Sequence, residues 1–222
     1  MIEKTAKIFQ AITYWPIYLL LNFFVFFEIN GQENLRGLEN KAIIFASNHT
    51  SYIDGPICAA AMPRNWFYPK DFFPIRFLAM EKYFKWYYLI VALYVWINGS
   101  IKIFKAGGDL EKALADTIKA LENNNRVWIY PEGGITKDGS IRSGKRGIAY
   151  LHQRTGAPIV PVCLNGTFKI LSFKTLFFAK KVKINIGKPI YSLSDLTLEE
   201  GTDKIMSEIS KLKNIKEVIC QL

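Results

Sequence analysis

Histidine is scarce in this 222-residue chain, occurring twice, and cysteine occurs only three times, at positions 58, 163 and 220. The cysteines are odd in number, far apart and outside any metal-ligand spacing. With two histidines and no paired cysteines, a structural zinc site has no donor set, so no metal is expected. The thiols read as reduced and buried, as in a protein facing the cytosol. Zinc-finger spacings, a basic zipper and RNA-recognition signatures are all missing, which leaves nucleic acid without a reading module. A Gly-x-Ser-x-Gly elbow is missing too, and Ser51 lies only two residues from His49, so a serine hydrolase finds no nucleophile. Internal repeats, low-complexity tracts and linkers do not occur. Carboxylates are outnumbered: 29 Lys and Arg face 19 Asp and Glu, for a formal net charge of +10. That excess speaks about partners, not fold, and fits anionic membranes or acidic ligands.

Half of the residues are apolar, which excludes disorder, and the length suits one domain with a real core. Residues 8–29 are almost all apolar or aromatic, interrupted by Gln10, Thr13, Pro16 and Asn22. As a helix this run would extend about 33 Å, near the thickness of a bilayer's hydrocarbon core. The pattern predicts an N-terminal membrane-embedded helix over residues 1–30, with residues 31–222 as the body. Spanning and dipping both stay open: Pro16 would kink the helix, and Asn22 is costly at the bilayer centre. Residues 83–96 and 168–181 mix aromatics with lysine, which suits a membrane interface as well as core aromatics beside solvated lysines.

Beyond the apolar run, short β-rich segments alternate with helical ones. Strands fit residues 42–47, 75–79, 100–104, 126–130, 158–164 and 182–186. Helices fit 54–61, 83–95, 109–123, 145–155 and 198–213. Asp109 is a natural N-cap, and Gly156 a natural helix stop. This alternation predicts an α/β domain with a largely parallel β-sheet flanked by helices.

Two runs carry the chemistry: Asn48-His49-Thr50-Ser51-Tyr52-Ile53-Asp54-Gly55 and Tyr130-Pro131-Glu132-Gly133-Gly134. Each follows a predicted strand, so both should lie on the carboxyl edge of the sheet, where ligands collect in such folds. His49 would sit in a loop, with Asp54 opening the next helix and its carboxylate folded back onto one imidazole nitrogen. The other nitrogen would then be free to take a proton from a hydroxyl. Asp54 as a plain helix cap is the simpler alternative. Cys58, one turn further on, reads as a small buried hydrophobe rather than a nucleophile. A bound hydroxyl, activated by His49, is therefore the expected nucleophile, without a covalent acyl-enzyme. The glycine pairs 107–108 and 133–134 either let backbone amides approach a phosphate or oxyanion, or form plain turns. His152 has no acidic neighbour at a useful spacing.

Asn-His-x-x-x-x-Asp-Gly, then Tyr-Pro-Glu-Gly, then Val160-Pro161-Val162, in this order and at these separations, resembles the glycerolipid acyltransferase family over residues 40–189. Its best-known members acylate lysophosphatidic acid to phosphatidic acid in phospholipid biosynthesis. The resemblance implies that His49 is the base and Asp54 its orienting partner. It implies that residues 99–105, ending in Lys105, help to hold the acceptor's phosphate. Glu132, Gly133 and Gly134 match the block tied to acceptor binding, and Pro161 falls in the hydrophobic block associated with the acyl chain. The family works at membranes with acyl-coenzyme A or acyl carrier protein as co-substrate and uses no metal or prosthetic group. The body is then a catalytic domain facing the cytoplasm from the cell membrane, its partners membrane lipids and the acyl carrier.

The chain departs from the family pattern twice. Lys105 stands where arginine is usual, and Gly134-Ile135 stand where the family has Thr-Arg. Lysine keeps the charge but not the two-pronged hydrogen bonding that suits phosphate. Lys102, Lys137, Arg142, Lys145 and Arg146 are nearby replacement cations, or else a solvated face. The departures leave room for another acceptor, such as glycerol-3-phosphate, another lysophospholipid or an amino-lipid. Further alternatives are a non-catalytic lipid-binding protein and a lipid esterase.

Overall fold

The apolar N-terminal run does not stay helical. In the computed structural model, which describes residues 2–64, 67–85, 89–104, 108–170 and 180–213, α1 (Ile2–Phe24) passes directly into β1 (Val25–Asn30). Val25, Phe26, Phe27 and Ile29 are β-branched or aromatic, residue types that suit a pleated, half-buried surface.

The chain continues as β2 (Ile43–Ser47), α2 (Asp54–Ala60), β3 (Ile75–Met80), α3 (Leu89–Ile97), β4 (Ile101–Ile103) and α4 (Leu110–Glu122). It ends with β5 (Arg126–Ile129), α5 (Gly147–Thr155), β6 (Ile159–Asn165), β7 (Lys180–Ile186) and α6 (Leu198–Lys213). The seven strands form one sheet in the order β1-β7-β6-β2-β5-β3-β4. Every neighbouring pair is parallel except β6 and β7. All residues of β2 and β5 are buried, as expected for central parallel strands covered on both faces.

Each face has its own core. On one, Tyr14 of α1 and Ile57, Cys58 and Ala61 of the α2 region pack with Phe45, Ile75 and Trp128. On the other, Leu114 and Ile118 of α4, Ile148 and Leu151 of α5, and Ile205 and Ile209 of α6 cover Ile44, Val127 and Ile159. Asp109 does cap α4, accepting the Lys112 N–H at 3.1 Å. Gly156 ends α5 at φ +68°, a left-handed conformation that glycine adopts without strain.

Of the two forms left open for the N-terminal membrane-embedded helix, the span finds no support. Among the described residues no helix is long and apolar enough to cross a membrane. The reason is tertiary. The last part of the apolar run is drawn into the sheet as β1, and Ala6, Gln10 and Tyr14 of α1 are buried against the domain. Gln10 faces inward, donating to Ile75 O at 2.9 Å and Asn98 O at 3.1 Å and accepting the Ile75 N–H at 2.9 Å. Its amide thus satisfies backbone groups at the start of β3. The outward face is apolar instead: Ile12 is 68% exposed and Phe23 79%.

The expected helix at 83–95 is also displaced. A 3₁₀ turn takes Glu81–Phe84, and α3 begins at Leu89.

Candidate active site

β2 and β5 lie side by side and parallel, with Ala46 opposite Ile129. The segments that follow them therefore leave from one carboxyl edge. There the His49 N–H donates to Glu132 Oε1 at 3.0 Å, which brings together the two runs that the sequence singled out. β6, on the other side of β2, braces the same loop. Asn48 exchanges two hydrogen bonds with the Leu164 backbone, at 2.9 and 2.8 Å, and the Thr50 and Thr167 hydroxyls bond to each other.

Asp54 is the first residue of α2 and is fully buried. Its Oδ2 lies 2.9 Å from His49 Nδ1 and accepts the N–H groups of Thr50, at 2.7 Å, and Ser51, at 2.9 Å. The carboxylate therefore does more than cap its helix: it closes the loop back on itself. An ionised carboxylate only accepts, so the network assigns the imidazole proton to Nδ1 and leaves the Nε2 lone pair free. The His49 side chain keeps 19% exposure while Asp54 has none. The imidazole can be reached, and the carboxylate that holds it cannot.

Glu132, which the resemblance ties to acceptor binding, is held by partners within the protein. Its side chain is wholly buried and both oxygens are occupied: Oε1 takes the His49 N–H, and Oε2 takes the N–H and Nε of Arg142, each at 3.2 Å. The Thr136 N–H donates to His49 O at 2.9 Å. Both backbone polar groups of His49 are thus fixed by the segment after β5. Glu132 works here as a brace for the histidine loop.

Sequence reasoning missed Tyr130, whose ring stacks on the His49 imidazole with centroids 3.9 Å apart and planes 12° from parallel. It also missed Thr136 and the bracing role of Arg142. Nothing in the spacing could have paired residues some eighty positions apart. Cys58 lies fully buried behind this group, and burial together with the nearby Asp54 charge pushes its thiol well above the ordinary range. A neutral, enclosed thiol is no nucleophile.

A cleft of about 840 Å³ opens beside Tyr130, between the ends of β3 and β4, the start of α4 and the segment after β5. Lys82, Lys85, Gly108, Gly133 and Lys145 are among its lining residues. The Gly133 backbone has φ +72°, and a Cβ there would come within 2.5 Å of Lys145 Nζ. Glycine is what lets the lysine lie against the loop. The Gly133 N–H is spent on Tyr130 O at 3.0 Å, so it is a turn amide rather than an oxyanion donor. The Gly134 carbonyl accepts from Arg142.

The replacement cations separate by their partners. Lys102 pairs with Glu81, Arg142 with Glu132, and Arg146 with Glu199. Lys137 is exposed and does not line the cleft. Lys145 lines it and makes no ion pair among the described residues. Lys105 and Gly107 lie outside the described residues. Pro161 is buried in β6 and its ring packs by Gly187, away from the cleft. His152 is a core residue whose Nδ1 bonds Ala157 O at 2.8 Å.

Fold and site together define a class: an α/β protein that sets a histidine–aspartate pair on the carboxyl edge of a largely parallel sheet. Residues 26–165 match the Acyltransferase family, and the chain belongs to it. It is 24% identical over 212 residues to the chloroplastic 1-acyl-sn-glycerol-3-phosphate acyltransferase of Brassica napus, covering 92% of this chain and 55% of that protein. The corresponding Arabidopsis thaliana protein is 26% identical over 211 residues, with 90% and 52% coverage. The chain thus spans about half the length of these curated relatives. Its fold matches the crystal structure of the 1-acyl-sn-glycerophosphate acyltransferase PlsC of Thermotoga maritima. The TM-score is 0.66 at 20% identity, covering 90% of this chain and 78% of that one.

Proposed function

We propose that this chain moves a fatty acyl group from acyl-coenzyme A or acyl carrier protein to the free hydroxyl of 1-acyl-glycerol-3-phosphate, giving phosphatidic acid. The observation that carries the reading is the His49–Asp54 contact, with Nε2 unencumbered on the edge where the cleft opens. The relatives named as 1-acyl-sn-glycerol-3-phosphate acyltransferases support the choice of acceptor.

In this mechanism the acceptor hydroxyl gives its proton to His49 Nε2 as its oxygen attacks the thioester carbonyl. Asp54 holds the ring and stabilises the imidazolium. The tetrahedral intermediate collapses by expelling the thiolate, which takes the proton back from Nε2. Proton removal of this kind is worth about 10²–10⁴-fold in rate. The reaction needs no metal or prosthetic group. Lys145 meets the acceptor's phosphate, because its charge lines the cleft and no carboxylate among the described residues neutralises it. The work is done at the cytoplasmic face of the cell membrane. The exposed apolar side chains of α1 (Ile8, Ile12, Leu19, Leu20, Phe23) and of α3 (Leu89, Leu93, Trp96) support docking in the interface without a span.

The test is turnover of radiolabelled acyl-coenzyme A by purified protein in detergent, with lysophosphatidic acid, glycerol-3-phosphate or lysophosphatidylglycerol as acceptor. Labelled phosphatidic acid should form from the first and disappear in His49→Ala, while Lys145→Gln should raise KM for the phosphorylated acceptor. Release of free fatty acid alone, or full activity in His49→Ala, would overturn the reading.

A further inference from the structure

The catalytic histidine of the proposed reaction is gripped at one ring nitrogen only. A single hydrogen bond from Nδ1 to Asp54 fixes a direction in the ring plane but leaves the plane free to roll about that bond. Among the described residues, the aromatic surface recorded against the imidazole is Tyr130, stacked at 3.9 Å and 12°.

The Tyr130 backbone is tied in place. Its carbonyl accepts the Gly133 N–H at 3.0 Å, and the next residue, Pro131, accepts the Lys145 N–H at 2.8 Å. Its hydroxyl end is enclosed beside Cys58, while part of the residue reaches the cleft. A ring whose backbone is tied and whose hydroxyl end is enclosed offers a defined plane to whatever lies flat on it.

We propose that Tyr130 is a positioning residue for His49, whose ring face sets the imidazole plane and favours the positive charge that forms there during transfer. This deepens the acyl-transfer reading, and its kinetic arm rests on that reading. The physical basis is twofold. A flat contact at van der Waals distance removes the roll that Asp54 permits, so Nε2 keeps its aim. The electron-rich ring face also attracts a cation more than a neutral ring. The other charged groups recorded around His49 are Asp54, on Nδ1, and Glu132, on its backbone N–H with Arg142 behind it. Among the described residues the ring's ionic contact is with Asp54, so substituting Tyr130 leaves that contact in place.

The two histidines make a direct test practical. His49 is followed by NMR titration, with His49→Gln assigning its signal against His152. In Tyr130→Leu the His49 pKa should fall by about one pH unit, the equivalent of a tenfold loss of preference for the cation. In Tyr130→Phe it should stay close to the parent. In acyl transfer, Tyr130→Leu should lower kcat by about tenfold with little change in acceptor KM, and Tyr130→Phe should recover most of that loss. Circular dichroism checks the fold, and Tyr130→Met replaces the leucine variant if that one does not fold. An unmoved titration in the leucine or methionine variant overturns the proposal. So does a phenylalanine variant that recovers neither pKa nor kcat. If the parent protein transfers no acyl group, the acyl-transfer reading fails by itself, and the titration still decides the role of Tyr130.

Discussion

Substituting Asp54 separates the two duties that its carboxylate carries. Oδ2 serves three donors, His49 Nδ1 and the N–H groups of Thr50 and Ser51, while Oδ1 is buried with no partner among the described residues. In Asp54→Asn an oxygen can stay in the Oδ2 position and keep both backbone donors satisfied. The new NH₂ group then occupies the Oδ1 position without an acceptor, at about 1–3 kcal/mol. The charge that favours imidazolium is gone in either amide orientation, so kcat should fall by about 10²–10⁴-fold. Asp54→Ala goes further and orphans two buried N–H groups, an added cost of about 2–6 kcal/mol. Against the usual 5–15 kcal/mol of a folded domain (roughly), that is a large share. Initial rates with acyl-coenzyme A and lysophosphatidic acid, beside urea unfolding of both variants, give the two numbers. An asparagine variant with the parent's kcat, or an alanine variant as stable as the parent, would refute the reasoning.

Glu132→Gln keeps an acceptor for the His49 N–H but loses the charged partner of Arg142, which is partly exposed and therefore partly screened. It should lower kcat with acceptor KM nearly unchanged; a raised KM at constant kcat would return Glu132 to acceptor binding. Cys58, its thiol raised by burial and by Asp54, should resist iodoacetamide in the folded protein even at pH 9 and react once unfolded, as peptide mapping would show; rapid labelling in the fold would contradict its enclosure. On the β1–β7 edge, hydrogen bonds from Lys181 and then Lys183 hold the Glu28 carboxyl at about 2, below its ordinary 4.5. A depressed carboxylate pKa stabilises the fold above the unfolded value, and the benefit is lost as pH falls through the folded one. Glu28→Gln should therefore lower Tm at neutral pH and make progressively less difference between about pH 4.5 and 2; a difference that does not shrink would refute the pairing.

The alternation of apolar runs with helical patterns was enough to place β2 to β7 and the helices α2, α4, α5 and α6, because a central parallel strand such as Ile43–Ser47 has to be apolar on both faces. The five-residue step from His49 to Asp54 was equally readable, since a tight loop between a strand end and a helix start forces the two side chains together. β1 was not readable. Phe26 and Phe27 continue the apolar composition of α1, and only the open edge of β7 makes the extended form the better partner. Gln10 misled for a related reason: a polar residue in an apolar helix looks the same whether it faces lipid or satisfies a strand's backbone.

From the sequence alone came the parallel α/β layout, the histidine–aspartate pair and the family, all of which are encoded in short-range order or in residues a few positions apart. Tertiary structure alone decided that Glu132 and Thr136 clamp the backbone of His49, that Tyr130 lies flat beneath its ring, and that Lys145 joins Lys82 and Lys85 in lining the cleft. The contacts to His49 join segments more than eighty residues apart. They exist only because the parallel pairing of β2 and β5 brings two carboxyl ends to the same edge.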